Sequence, residues 1–98
     1  MIRVIIERDI SKGCMDDYLE LIRRARRQAN KVDGFIAGEL LQEKDHQHHA
    51  VIISSWENIE SWDMWFNSKE RQSVLSDMRP FLNADEAITV LENSHVLN

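Results

Sequence analysis

The sequence is poor in several residue types that common functional sites require. Cys14 is the one cysteine, which excludes a disulfide within the chain and predicts a reducing, cytoplasmic setting. The three glycines form no glycine-rich phosphate-binding loop, and no recognisable histidine and asparagine arrangement makes Cys14 a nucleophile. No apolar run is long enough to cross a membrane, and the first residues lack the flanks of a signal peptide.

Positive charge is also scarce. The chain carries 12 Lys and Arg against 17 Asp and Glu, which gives a formal net charge of −5. A general nucleic-acid binder needs a basic face, so we expect neither nucleic acid nor a membrane as a partner. The one basic cluster is interpreted as the solvated face of a helix, with a polyanion site as the alternative. It consists of Arg23, Arg24, Arg26 and Arg27.

The sequence does contain a clear succession of strand and helix patterns. Residues 2–10 alternate as a strand, and apolar residues recur at three- and four-residue steps over 15–31, which predicts a helix. Further strands are predicted at Phe35–Glu43, Ala50–Trp56 and Glu86–Glu92.

The stretch from Val51 to Phe66 organises the predicted fold and holds all three tryptophans. It opens as a β-branched apolar run that suits a buried strand, and it turns at Asn58, the predicted N-cap of a second helix. The core stripe of this helix is predicted to be Ile59, Trp62 and Phe66. Trp65 lies about 100° from Phe66, which places it on the flank of that stripe.

A third helix is predicted from Lys69 to Arg79, capped by Ser68 and ended by Pro80. Its inward positions are expected to be Val74, Leu75 and Met78. The order strand, helix, strand, strand, helix pair, strand predicts an α+β, ferredoxin-like fold, in which a four-stranded antiparallel sheet carries helices on one face. We expect residues 1–98 to form a single domain.

Both faces of the predicted sheet carry apolar side chains. In the second strand they fall on either side: Ile36 and Leu40 against Phe35, Ala37 and Leu41. A sheet with one wet face would alternate more cleanly. The helices can cover only one face, so a second copy of the same sheet is expected on the other, which predicts a two-fold homodimer.

The element order, the Gly34-Phe35 pair and the run SSWENIESWDMWFNSKERQ resemble the antibiotic biosynthesis monooxygenase-like family of small dimeric α+β barrels. The positions that carry the family pattern are Trp56, Glu57, Trp62, Trp65 and Ser68. The resemblance implies a homodimeric, cofactor-independent monooxygenase acting on a small aromatic or quinol substrate. The alternative is a non-catalytic ligand-binding or dimerisation module on the same fold.

The heme-degrading branch of that family does not match these residues. It uses an Asn on the first strand, a Trp on the helix after the third strand, and a His on the next helix as iron ligand. Trp65 meets the Trp position, but the other two fall near Ile6 and on Leu75. Leucine has no lone pair for iron and isoleucine has no amide, so heme degradation is not expected.

The family resemblance also implies a ligand pocket between the sheet and the helices. Trp65 is the first candidate for its wall, with simple packing at the domain edge as the alternative. Arg26 is the second, as an anchor for a phenolate or carboxylate; otherwise its stem lies along the core and its head reaches water. Leu75 is the third candidate, and no catalytic residue can be assigned.

The run His46-Gln47-His48-His49 offers the remaining candidate for a metal site. We place it at the tip of a hairpin within Lys44–His48, where no third ligand follows at a useful spacing. A solvated turn is therefore the favoured interpretation, and we predict neither a metal nor another cofactor.

Overall fold

The strands and helices follow one another in the predicted order. In the computed structural model, which describes residues 1–98, they are β1 (Ile2–Asp9), α1 (Met15–Ala29), β2 (Phe35–Glu43), β3 (His46–Trp56), α2 (Ile59–Phe66), α3 (Lys69–Met78) and β4 (Ala87–Leu91), with a 3-10 turn at Arg79–Phe81. The strands form one antiparallel sheet in the order β2-β3-β1-β4. The helices lie on one face of it, which confirms the ferredoxin-like fold. None of the helices has both the length and the apolar composition needed to cross a bilayer.

The central strand β1 determines which side of the sheet faces the helices. Ile2, Val4 and Ile6 are buried on that side, as their alternation predicts. They form one hydrophobic cluster with Ala29, Trp56, Trp62 and Trp65. A second cluster joins α1 and α3 to the sheet through Ile10, Tyr18, Ala50, Val74 and Met78. The core therefore lies in one layer between the sheet and the helices.

The second helix has the predicted cap but not the predicted orientation. Asn58 Oδ1 accepts a hydrogen bond from the backbone N–H of Ser61 at 3.0 Å, so the N-cap is confirmed. The predicted core stripe is right for Trp62 but wrong for Ile59 and Phe66, which are each 39% exposed, while Ser61 and Trp65 are buried beside Trp62.

The reason for this rotation is a close approach between α2 and the loop before β2. Gly34 adopts a φ of +95°, and a Cβ at this position would collide with the side chain of Ser61. The helix packs against Gly34 through its smallest inward residue, Ser61, and this contact turns Trp65 into the core. A stripe drawn from hydrophobicity alone could not include a serine.

The hairpin between β2 and β3 is tighter than predicted. Its turn is Lys44-Asp45, and Asp45 takes a positive φ of 72°. The third strand therefore starts at His46 rather than at Ala50, and the histidines lie on a strand. Their predicted place at a hairpin tip is wrong.

The face of the sheet that points away from the helices is apolar at its centre. Ile5 of β1 pairs with Ile53 of β3, and both are half-buried although no helix lies over them. Leu41 and Leu91 add exposed apolar surface on the flanking strands. We call this surface the outer face. A second subunit upon it stays a prediction.

Candidate ligand-binding site

A cavity of about 400 Å³ lies between the helix-facing side of the sheet and the three helices. Its size falls within the range of roughly 300–1,000 Å³ that is usual for small-molecule sites. Hydrophobic residues make up 14 of the 21 that line it. A mostly apolar cavity with a few polar groups is the ordinary form of a site that binds an organic ligand.

Aromatic rings form one end of the cavity. The ring centroids of Phe35 and Trp56 are 4.9 Å apart in an edge-on arrangement, and those of Trp56 and Trp62 are 5.7 Å apart. The indole N–H of Trp56 donates to Ser54 Oγ at 3.0 Å, which fixes that ring. The ring of Trp65 is buried, but its indole N–H remains accessible and donates to no atom of the chain. Trp65 therefore has a donor to offer a ligand.

Charged side chains also line the cavity, beside its aromatic and aliphatic wall. Arg8 occupies a helix-facing position of β1, two residues beyond Ile6, and its side chain is 7% exposed. Arg8 Nη2 donates to Glu86 Oε1 at 2.8 Å, and Arg71 Nη2 donates to Glu86 Oε2 at 2.7 Å. Arg8 Nη1 also donates to the hydroxyl of Tyr18 at 3.0 Å. We call Arg8, Glu86 and Arg71 the arginine–glutamate cluster.

The electrostatics of this cluster leave it with a net positive charge. Burial alone would raise the pKa of Glu86, but Arg8 and Arg71 outweigh that effect and hold the pKa below its ordinary value. Burial raises the pKa of Tyr18 despite the neighbouring Arg8, so its hydroxyl stays neutral. Since guanidinium groups are always protonated, two cations share one carboxylate.

The sequence interpretation passed over all three members of the cluster. Arg8 could have been noticed, because it stands at an inward position of a strand whose other inward residues are apolar. Arg71 follows the Ser68 cap at three residues and precedes buried Val74 by three, which places it on the inner face of α3. Glu86 carries no such local signal, since its partner Arg8 lies 78 positions away.

The three predicted pocket residues all line this one cavity. Trp65 is buried within its wall, Leu75 of α3 is half-buried, and Arg26 of α1 is exposed and lies at its edge. The structure therefore brings together side chains from three separate helices. Their part in binding a ligand is a proposal.

His49 lies elsewhere, at the polar end of the outer face. His49 Nδ1 is 2.9 Å from Glu43 Oε1, and His49 Nε2 is 3.2 Å from Glu7 Oε1. The hydrogen bond with Glu43 raises the pKa of His49 and lowers that of Glu43. No three His, Cys, Asp or Glu side chains converge as a metal site would require. The histidines act here as partners of carboxylates.

Comparison with known proteins adds a family context to this geometry. The family model for antibiotic biosynthesis monooxygenase matches residues 1–75. The SchA protein of Streptomyces halstedii is 24% identical over 87 residues, which cover 89% of this chain but 23% of SchA. This chain thus spans less than a quarter of the length of that relative.

Solved structures show the same fold at low sequence identity. A conserved protein from Methanosarcina mazei Go1 superposes with a TM-score of 0.88 at 16% identity, covering 95% of this chain and 92% of its own. SnoaB, a cofactor-independent oxygenase from Streptomyces nogalater, superposes with a TM-score of 0.83 at 14% identity, covering 98% and 96%. At these identities the likeness establishes the fold alone.

Proposed function

The chain belongs to the antibiotic biosynthesis monooxygenase family, whose model matches most of its length, and on that premise we propose that it is a cofactor-independent monooxygenase of small hydroxylated aromatic molecules. The observation that carries the proposal is the cavity of about 400 Å³, walled in part by tryptophans and lying between the sheet and the helices. SnoaB, which has this fold, is a cofactor-independent oxygenase.

The proposed chemistry uses the substrate as its own reductant. A phenol and dioxygen give a quinone and water: one oxygen atom becomes the new carbonyl, and the other leaves as water. That water takes the phenolic proton and the proton of the oxidised carbon, so the electrons balance without a metal or a flavin. The chain has to bind the ring, orient it and exclude bulk water, and a mostly apolar cavity is suited to all three tasks.

We assign the ligand contacts to the residues that meet in the cavity. Trp65 supplies a flat apolar wall and an unpaired N–H donor, Leu75 supplies apolar wall on α3, and Arg26 supplies a cation at the edge. Residues 1–98 would work as one domain. Its setting would be the reducing cytoplasm, because Cys14 is the only cysteine.

We also propose a homodimer through the outer face. A contiguous apolar surface on a folded protein commonly marks an interaction site, and the paired Ile5 and Ile53 lie at the centre of this one. A second copy presents the same apolar surface, so a two-fold contact would cover both faces at once.

The test is oxygen uptake with a panel of naphthols and naphthalenediols. We expect uptake above the protein-free rate, and mass spectrometry after incubation with heavy-isotope dioxygen should find one labelled oxygen atom in each quinone. A protein that binds members of the panel but takes up no oxygen would support a second candidate, a non-catalytic binding module. The observation favouring that candidate is a cavity lining without His, Cys, Asp, Lys or Tyr.

The contribution of Trp65 can be tested with Trp65→Leu. We expect the KM for the preferred naphthol to rise by roughly tenfold, because the variant loses a stacking surface and an N–H donor worth about 1–2 kcal/mol together. Met64→Leu is the matched control, since Met64 is the exposed neighbour of Trp65 on the same helix. Unchanged binding and turnover in Trp65→Leu would remove Trp65 from the site.

A further inference from the structure

The cavity has a charge opposite to that of the protein as a whole. The chain carries a net charge of −5, yet the charged residues that line the cavity are four arginines and one carboxylate. They are Arg8, Arg23, Arg26, Arg71 and Glu39. Clustered charge of one sign in a cleft with apolar walls focuses its field on whatever enters.

Glu86 offsets only part of this charge. Both arginines that it pairs with line the cavity, whereas Glu86 itself lines a separate depression near Asp85 and Asn83. One carboxylate also cannot balance two guanidinium groups, so the arginine–glutamate cluster keeps an excess of one positive charge. An uncompensated buried charge is unfavourable until an ion of opposite sign pairs with it.

Arg71 has the donors that such an ion would need. Its residue is 6% exposed, and of its three guanidinium nitrogens only Nη2 has a hydrogen-bond partner, Glu86. The guanidinium carbon lies 4.9 Å from the ring centroid of Phe66 and 6.0 Å from that of Trp62. The rings hold the group in place without using its N–H donors. Nε and Nη1 are therefore left for a ligand.

We propose that the substrate binds as an oxygen-centred aromatic anion and that Arg71 is the side chain that receives its charged oxygen. This inference rests on the proposed function and narrows its substrate class from hydroxylated aromatics in general to those that bind as anions, such as acidic phenols, hydroxyquinones and hydroxylated aromatic carboxylates. The planar fork of an arginine suits two adjacent oxygens and stays charged at every functional pH. A positive group beside a phenol also lowers the phenol pKa, which favours the electron-rich form that reduces oxygen most readily.

The test compares matched anionic and neutral ligands by calorimetric titration. Lawsone, a hydroxynaphthoquinone that is an anion at neutral pH, is set against its methyl ether, and a naphthoate is set against the corresponding naphthamide. We expect the anion of at least one pair to bind roughly ten- to hundredfold more tightly, which is the usual value of hydrogen bonds to a charged group. A difference within the lawsone pair would show that the site binds an ionised hydroxyl, and a difference within the naphthoate pair would show that it binds a carboxylate. Equal affinity within both pairs would overturn the proposal without any variant.

Arg71 is then tested with Arg71→Gln, with Arg27→Gln as the matched control. Arg27 is an exposed arginine of α1 that does not line the cavity and has no ion-pair partner. We expect Arg71→Gln to reduce the preference for the anion to a few-fold and Arg27→Gln to leave it unchanged. Arg71→Lys, which keeps the charge but not the fork, should fall between them. A preference that survives in Arg71→Gln would show that Arg71 is not the receptor.

Oxygen uptake separates this inference from the function on which it rests. A protein that prefers the anions through Arg71 but takes up no oxygen keeps the inference and loses the oxygenase. A protein that oxidises weakly acidic and strongly acidic phenols equally well, with and without Arg71, keeps the oxygenase and loses the inference.

Discussion

The helix-facing side of the sheet holds its charges in an ion cluster almost out of reach of water, while the outer face holds its charges at an exposed edge. Arg8 and Glu86 pair with side chains that are 7% and 11% exposed. His49 and Glu43 pair at a similar distance with side chains that are 32% and 46% exposed. Coulomb attraction is several times stronger in the drier setting. The buried ion pair should therefore contribute much more to the stability of the fold than the exposed pair, whose strength should vary with pH and salt.

Removing Glu86 should give the largest effect of this comparison. Glu86→Gln leaves Arg8 and Arg71 buried without their carboxylate, and breaking a buried pair in this way costs about 3–5 kcal/mol. Urea unfolding would measure the loss. The control is Glu20→Gln, which removes the exposed partner of Arg23 at 3.2 Å and should cost under about 1 kcal/mol. Equal losses in the two variants would mean that burial does not set the strength of these pairs.

The carboxylate of Glu86 should also make the free energy of unfolding decrease at acid pH. The pKa of Glu86 is depressed in the folded state, so its stabilising contribution is complete above the pKa of the unfolded chain. It is lost as the pH falls through the lower, folded-state pKa. Glu86→Gln should therefore flatten the acid side of the stability profile as well as lower it.

Two neighbouring isoleucines of β1 give the next largest effect. Ile6→Ala opens a hole in the core cluster and should lower the unfolding free energy by about 2–4 kcal/mol at any protein concentration. Ile5→Ala affects the outer face, where the folded chain alone leaves the side chain half-covered. If a second copy covers it, the loss in Ile5→Ala should grow with protein concentration, which sedimentation and unfolding at several concentrations would detect. A concentration-independent loss would contradict the proposed dimer.

These contrasts also explain how far the sequence could predict the fold. The alternation of Ile2, Val4 and Ile6 identifies the inner side of β1 because it depends only on neighbours along the chain. The caps Asn58 and Ser68 are equally local, and both are present. Local rules therefore predicted the number of strands, the helix starts and the element order, although not the start of β3.

What the sequence could not predict depends on partners far apart in the chain. The eight residues of α2 permit more than one apolar stripe, and the contact between Gly34 and Ser61 selects the one that contains Trp65. An arginine on the inner face of β1 is explained only by its pairing with Glu86, which directly precedes the neighbouring strand β4. The pocket candidates were found through a family resemblance, whereas the cationic character of the cavity emerged only from the packed structure.

A smaller effect is expected from the contact that orients α2. Gly34→Ala combines a positive φ with a collision against Ser61 and should cost about 2 kcal/mol or more, with a shift in tryptophan fluorescence as α2 moves. Gly13→Ala is the matched control, because Gly13 has a φ of +80° but no neighbour within 4 Å. It should cost about 1 kcal/mol through backbone strain alone. Equal costs would mean that Ser61 moves aside freely and does not set the helix rotation.

The smallest expected effect lies on the outer face, at His49. Its pKa is raised above the ordinary 6.5 by the hydrogen bond with Glu43, so its contribution is complete below the pKa of the unfolded chain and is lost as the pH rises through the folded-state pKa. Between about pH 6 and about pH 8 the melting temperature of the wild type should therefore fall slightly more than that of His49→Gln. His95→Gln, in the exposed tail, should follow the wild type. Because the pair of His49 and Glu43 is exposed, a change in melting temperature as large as that in Glu86→Gln would require that a second subunit buries the pair. The fall in melting temperature with pH should then depend on protein concentration.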